Sequence, residues 1–278
     1  CFYLLLLYQQ RQNLEDIMGM NLTQVGQKKE LVLEKNIEIP KVSNEVISLP
    51  AVEERRPLSY RPLFKHSFTA LAPSSYEVEM IPPHDFDGSE KTAHTLPAGA
   101  ETGTLIHTLF EKSDFSAPLK IDPFIEGTPF YRWKEVLEGL IEKTLNTPLL
   151  DKFCLKDISP HDCFKEVEFC FSAKDPFAYE SVFIKEGYLQ GVIDLIVRYQ
   201  EKYYLIDYKT NWLGPNGSYY TDLAPVMKKH HYDLQAAIYK QALQKYLSLS
   251  KEPLEFGGVL YLFIRGMEDD KGIYFINP

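Results

Sequence analysis

Asp194, Asp207 and Lys209 stand where chemistry is easiest to suspect, inside apolar runs of the stretch GVIDLIVRYQEKYYLIDYKTNWLG from Gly191 to Gly214. A carboxylate set among valine, isoleucine and leucine loses solvation and needs a compensating partner. Side chains alternate along a strand, so Asp207 and Lys209 share a face with Leu205, while Ile206 and Tyr208 point the other way. If the two runs form an antiparallel hairpin turning at Gln200 and Glu201, Asp194 falls directly opposite Asp207. Facing Cβ atoms are then roughly 4.5–5.5 Å apart, and two ionised carboxylates at that range repel unless a cation lies between them. A divalent metal resolves the conflict, and hard oxygen ligands favour magnesium or manganese over zinc. Lys209 could make a water at such a metal more acidic, or neutralise charge building on a phosphodiester under attack. The competing reading is an internal ion network that only sets strand register. Gln and Glu are poor residues for a tight two-residue turn, and a wider loop with the same pairing would serve equally.

Other residues join these at lower specificity. Thr102 is placed to cap a helix whose apolar members Leu105, Ile106, Leu109 and Phe110 recur at helical spacing, and that helix carries His107 and Glu111 one turn apart. A lone histidine is ordinarily a core or surface residue; as a metal ligand it would want a partner such as Glu111 to orient its ring. Glu166 and Glu168 precede an aromatic strand, where one of them, with Glu168 the candidate retained, could supply an outer acidic group. Trp212 could stack on a base of single-stranded nucleic acid or pack in the core. Lys228 and Lys229, followed by His230 and His231, are the best local candidates for phosphate contact, or simply a solvated helix start.

The Gly-x-x-Asp strand followed by Asp-Tyr-Lys-Thr-Asn-Trp-Leu-Gly resembles the core of the PD-(D/E)xK nuclease superfamily, specifically its RecB subgroup. YDLQAAIY, from Tyr232 to Tyr239, looks like that subgroup's Gln-x-x-x-Tyr motif, and FGGVLYLFIRG, from Phe256 to Gly266, is similar to its last conserved strand. GTLIHTLFE, from Gly103 to Glu111, looks like the helix bearing the family's histidine ligand, and SFTAL at Ser67 to Leu71 like the opening of the domain. The likeness is strong from Gly187 to Gly272 and patchy from Ser67 to Glu168. It implies a restriction-endonuclease-like fold and metal-dependent exonucleolytic hydrolysis of DNA, of the exodeoxyribonuclease V type. His107, Asp194, Asp207 and the Tyr208 backbone carbonyl would bind Mg2+, with Mn2+ an alternative, and Lys209 would be the catalytic lysine. Gln235 and Tyr239, four apart on one helical face, would orient Lys209 or touch the DNA backbone. It further implies RecC-like and RecD-like partners and DNA, as single strands fed by a helicase, in double-strand break repair by homologous recombination.

The elements that must carry these groups read as a helix and strand mixture. After the helix of His107, residues Tyr131 to Leu145 repeat an amphipathic pattern; strands follow at Glu166 to Phe171, Tyr188 to Val197 and Lys202 to Thr210; a helix from Tyr232 to Leu247 and a strand from Gly258 to Ile264 end the pattern. This suits an α/β layer fold, a mixed central sheet flanked by helices. The apolar run Phe2 to Tyr8 is too short to span a bilayer and reads as a strand remnant of a preceding helicase domain, residues 9–60 as a linker, and 61–278 as the nuclease domain.

With 278 residues, 45% of them apolar, the chain can build a real core. A net charge of -9, from 30 basic and 39 acidic residues, means that any nucleic acid must be held by local groups and a metal. The 4 cysteines form no zinc-finger spacing and read as reduced thiols of a cytoplasmic protein. With none beyond Cys170, the iron–sulfur cluster of some related nucleases is not expected, nor, without a Gly-x-x-x-x-Gly-Lys-Ser/Thr motif, is an ATP site. Two rivals remain at this level: a nuclease fold kept only as a docking module, and the nuclease domain of an AddA-like helicase–nuclease.

Overall fold

A computed structural model describes residues 64–72, 90–172, 177–180, 182–184, 187–249, 255–268 and 271–278. The strand expected at Phe2 to Tyr8, the linker 9–60 and most of the loop-rich stretch before Gly99 lie outside the described residues.

The described strands are β1 (Lys65–His66), β2 (Cys163–Ser172), β3 (Phe177–Tyr179), β4 (Val182–Ile184), β5 (Tyr188–Tyr199), β6 (Lys202–Lys209), β7 (Glu255–Phe263) and β8 (Ile273–Ile276). The helices are α1 (Phe68–Leu71), α2 (Ala100–Lys112), α3 (Asp122–Ile125), α4 (Lys134–Asn146), α5 (Ala224–Lys229) and α6 (Tyr232–Leu247). The main sheet runs β1-β5-β6-β7-β8, with β2 also paired to β5, and β3 and β4 form a separate hairpin. It is mixed: β5 is antiparallel to β2 and β6 but parallel to β1, and β6 is parallel to β7.

Helices cover this sheet because alternation splits its apolar residues between two faces. Leu195, Val197, Ile206, Tyr208, Leu260 and Leu262 belong to one buried cluster with Ile106, Leu109 and Phe110 of α2 and Leu137, Leu140 and Ile141 of α4. The opposite face meets α6, where the Tyr261 hydroxyl donates to the Tyr232 carbonyl at 2.8 Å and the Phe169 ring stands edge-on to Tyr239. A sheet sandwiched this way is the expected mixed α/β architecture. Replacing a fully buried leucine such as Leu137 by alanine would cost about 2–5 kcal/mol.

Local chemistry sets two elements apart from their sequence reading. Thr102 does not cap α2: Gly99 occupies that position, and the buried Thr102 hydroxyl donates back to the Pro97 carbonyl at 2.7 Å. The hairpin turn between β5 and β6 is the tight one, with Tyr199 paired to Lys202 and both intervening residues, Gln200 and Glu201, at positive φ (48° and 61°). That is the backbone of a turn preferring Asn-Gly; here the long paired strands impose it on Gln and Glu.

Candidate active site

The β5–β6 hairpin carries the acidic groups. Its register pairs Leu195 with Ile206 and Ile196 with Leu205, so that continuing one step puts Asp194 opposite Asp207. On the other side, β2 pairs Lys165 with Leu195 and Val167 with Ile193, which puts Glu166 opposite Asp194. The β2–β5 ladder skips this step, and the β5–β6 ladder ends just before it. Glu166 adopts a left-handed conformation (φ 48°), and the Asp194 carboxylate replaces a ladder bond by accepting the Tyr208 N–H through Oδ2 at 2.9 Å. The sheet thus opens where Glu166, Asp194 and Asp207 lie side by side.

Helix α2 closes on this opening. It approaches the end of β6 through Gly103, where a Cβ would lie 3.3 Å from the Thr210 hydroxyl. One turn later, His107 Nε2 lies 3.0 Å from the Tyr208 carbonyl oxygen, and its Nδ1 is 3.4 Å from Asp194 Oδ1. Phe110 stacks on the Tyr208 ring at 4.1 Å and holds the helix in place from below. A buried arginine fixes the approach. Arg265, 2% exposed, donates to the carbonyls of Ala93, Leu96 and Pro97, which lead into α2, and to Thr210, which follows Lys209. Burial lowers its pKa to about 10.

Behind the opening lies a second constellation. Lys209 Nζ is 2.5 Å from Asp207 Oδ2, a close ion pair rather than a well-aligned hydrogen bond, and it donates to Gln235 Oε1 at 3.0 Å. Gln235 in turn donates to the Tyr239 hydroxyl at 3.0 Å, so the pair four apart on α6 form one chain of contacts ending on the lysine.

The arrangement and the comparisons agree. The family model of the PD-(D/E)XK nuclease superfamily matches residues 86–276, which contain every group just described. The chain belongs to the PD-(D/E)XK nuclease superfamily. Its relatives include the RecBCD enzyme subunit RecB of Escherichia coli strain K12, 35% identical over 67% of this chain and 19% of that protein. The RecB subunit of Haemophilus influenzae is 32% identical over 68% of this chain and 18% of its own length, and that of Borreliella burgdorferi 30% over 77% and 23%. The chain therefore spans about a fifth of the length of the curated relatives it matches.

Within this site the acids fall into two groups. His107, Glu166 and Asp194 offer donor atoms that all lie within 4.8 Å of one another, among the described residues the group able to hold a metal ion. Asp207 is instead turned to Lys209 and is 2% exposed. Glu166, not Glu168, joins the group: Glu168 is exposed on β2 opposite Val192. The left-handed turn at Glu166 is what a reading of the strand as regular could not foresee. Glu111 lines the same groove as His107 and Glu166, but its carboxylate pairs with Lys112, and the imidazole is held by Tyr208 and Asp194.

Trp212, Lys228 and Lys229, the remaining residues expected to contact DNA, belong to neither constellation. The Trp212 indole N–H donates to the His94 carbonyl at 2.8 Å, so its edge serves the fold and the ring is half-buried. Lys228 and Lys229 are exposed in the last turn of α5.

The donor set fits a divalent cation. Burial, then the Asp194 charge, raises the Glu166 pKa to about 7, and burial raises that of Asp207 despite Lys209. Burial penalises the His107 imidazolium, but the Asp194 hydrogen bond and charge outweigh it and raise its pKa. Burial likewise opposes the Lys209 ammonium, and Asp207 more than restores it. The shifts of His107 and Lys209 report acidic neighbours that outweigh burial, whereas those of Glu166 and Asp207 report burial first and acidic neighbours second. The imidazole nitrogen and the Tyr208 carbonyl oxygen, 3.0 Å apart, add a nitrogen and an oxygen donor beside these carboxylates.

Proposed function

We propose that this chain carries the nuclease domain of a RecB-like helicase–nuclease subunit and hydrolyses DNA phosphodiester bonds with a divalent cation, magnesium before manganese. The observation that supports it most directly is the convergence of His107, Glu166 and Asp194 on the opening beside a buried Asp207–Lys209 pair. His107, Asp194, Asp207 and the Tyr208 carbonyl would hold the ion, with Glu166 as a further ligand or acceptor. When bound, the ion supplies Lewis-acid activation of the phosphodiester and of water. Lys209 presents its ammonium to the negative charge that builds on the phosphoryl oxygens, and Asp207 and Gln235 keep it aimed. Trp212, Lys228 and Lys229 serve the flanking strand, through stacking and phosphate contact.

We further propose a wider setting: RecC-like and RecD-like subunits, as the relatives' name, RecBCD enzyme subunit RecB, suggests, and exodeoxyribonuclease V type digestion in the cytoplasm during double-strand break repair, as the family resemblance implies. Residues 61–278 would be the nuclease domain of that assembly. The test is cleavage of end-labelled single-stranded DNA in magnesium by the wild-type chain and by Asp207→Ala, with calcium as control. Degradation in magnesium that the substitution abolishes supports the reading; a folded, magnesium-binding chain that leaves DNA intact overturns it in favour of a docking role.

A further inference from the structure

Lys209 has a third neighbour that neither the motif nor the ion pair accounts for. Its Nζ lies 4.1 Å from the centroid of the Tyr232 ring, with Tyr261 further off at 5.3 Å. An ammonium over an aromatic face is attracted by the ring quadrupole, the more so when shielded from water, and the Lys209 side chain is only 12% exposed. Tyr232 is itself held on several sides. Its hydroxyl donates to Asn211 Oδ1 at 3.0 Å, two residues beyond the lysine, and its carbonyl accepts from the Tyr261 hydroxyl. Its ring lies nearly parallel to those of His230 (5.3 Å, 17°) and Tyr261 (5.7 Å, 14°). The residue before it, His231, takes a left-handed conformation (φ 55°) that non-glycine residues seldom adopt, and this turn delivers Tyr232 to the start of α6 beside the lysine. So many constraints on one ring exceed what space-filling requires.

We propose that Tyr232 is a positioning residue for the reaction, its ring face confining the Lys209 ammonium to the side of the site where the scissile phosphate must lie. This rests on the reading of Lys209 as the group that meets the phosphodiester. Asp207 and Gln235 fix two directions of the ammonium, and the ring fixes a third without accepting a proton. The lysine stem is flexible; without the ring its head is freer to swing, which weakens what it does in the transition state and leaves DNA capture alone.

The test uses the full chain with Tyr232→Phe, which keeps the ring, and Tyr232→Leu, which keeps bulk but not the ring. On single-stranded DNA in magnesium, Tyr232→Leu should lower kcat about tenfold, equivalent to about 1.4 kcal/mol, with KM for DNA unchanged, while Tyr232→Phe retains most of the rate. In parallel, 1H–15N spectra of lysine ammonium groups, with Lys209 assigned by Lys209→Arg, should show an upfield ring-current shift in the wild type and Tyr232→Phe that is lost in Tyr232→Leu. An unchanged kcat in a folded Tyr232→Leu overturns the proposal, as does a loss confined to KM, which would make the ring a DNA platform. Equal damage by both substitutions overturns it in favour of the hydroxyl and Asn211. If the wild type does not cleave DNA, the nuclease reading fails, and the ammonium spectrum alone then decides whether the ring holds Lys209: absence of the shift overturns that contact, and its presence supports it.

Discussion

Asp207 and Asp194 face one another across adjacent strands, yet their surroundings differ. Asp207 is 2% exposed and neutralised within the protein by Lys209, which Gln235, Tyr239 and Tyr232 hold from α6. Asp194 has a side chain 11% exposed, shares its opening with Glu166, and has His107 as its nearest basic group. One half of the site is complete as it stands; the other has more acid than cation. The difference teaches which parts are preorganised and which depend on a bound ion. Catalytic groups gain most when aimed in advance, whereas a ligand shell holding excess negative charge is stable only when a cation shares it.

This contrast can be broken at either half. The largest effect is expected at the complete half: Lys209→Ala should lower kcat by about 10²–10³ in steady-state cleavage of single-stranded DNA, while the magnesium concentration at half-maximal rate stays put. A shift in that concentration instead would mean that the lysine belongs to the ion-binding half. Next comes the ion itself. Magnesium at about 100 times its dissociation constant should stabilise the wild-type chain by about 2.7 kcal/mol, read as a rise in Tm, and Asp194→Asn should remove most of that rise; an equal rise in the variant would place the ion elsewhere. Glu166→Gln should raise the magnesium requirement about 10–100-fold, the loss typical of removing a supporting carboxylate, and titration of the cleavage rate with magnesium would show it. At the small end, Glu168→Gln should change stability by less than about 0.5 kcal/mol and leave the magnesium requirement where it was. An effect as large as that of Glu166→Gln would refute the division of the two glutamates.

Much of the complete half was legible along the chain. Alternation placed Asp207 and Lys209 together, and the hairpin register that the structure shows is the one implied by a turn at Gln200 and Glu201. Helix α6 runs from Tyr232 to Leu247 as its apolar spacing indicates, which puts Gln235 and Tyr239 on one face. Strand period and helical spacing are local properties, carried by neighbours within a few residues. The open half was less legible. His107 reaches Tyr208 across a hundred residues of chain, and only the likeness to a known helix singled it out. The choice between Glu166 and Glu168 turned on the register of β2 against β5, which sets Glu166 opposite Asp194 and Glu168 opposite Val192, and Thr102 lost its capping place to Gly99 as its hydroxyl turned back to Pro97.

By itself, then, the sequence determined β2, β5, β6 and β7 in outline, the helix of Gln235 and Tyr239, and the pairing of an acid with a lysine on one face, because period and burial follow from residue order; the short strands β1, β3, β4 and β8 carried no such signal. Tertiary structure alone decided how the acids are arranged between the opening and the buried lysine. Arg265 ties the lead into α2 to the end of β6 through four backbone carbonyls, the missing rung at Asp194 opens the sheet, and Lys209 pairs with Asp207. Each of these is a competition between partners far apart in sequence, and such competitions are settled only when the chain has packed.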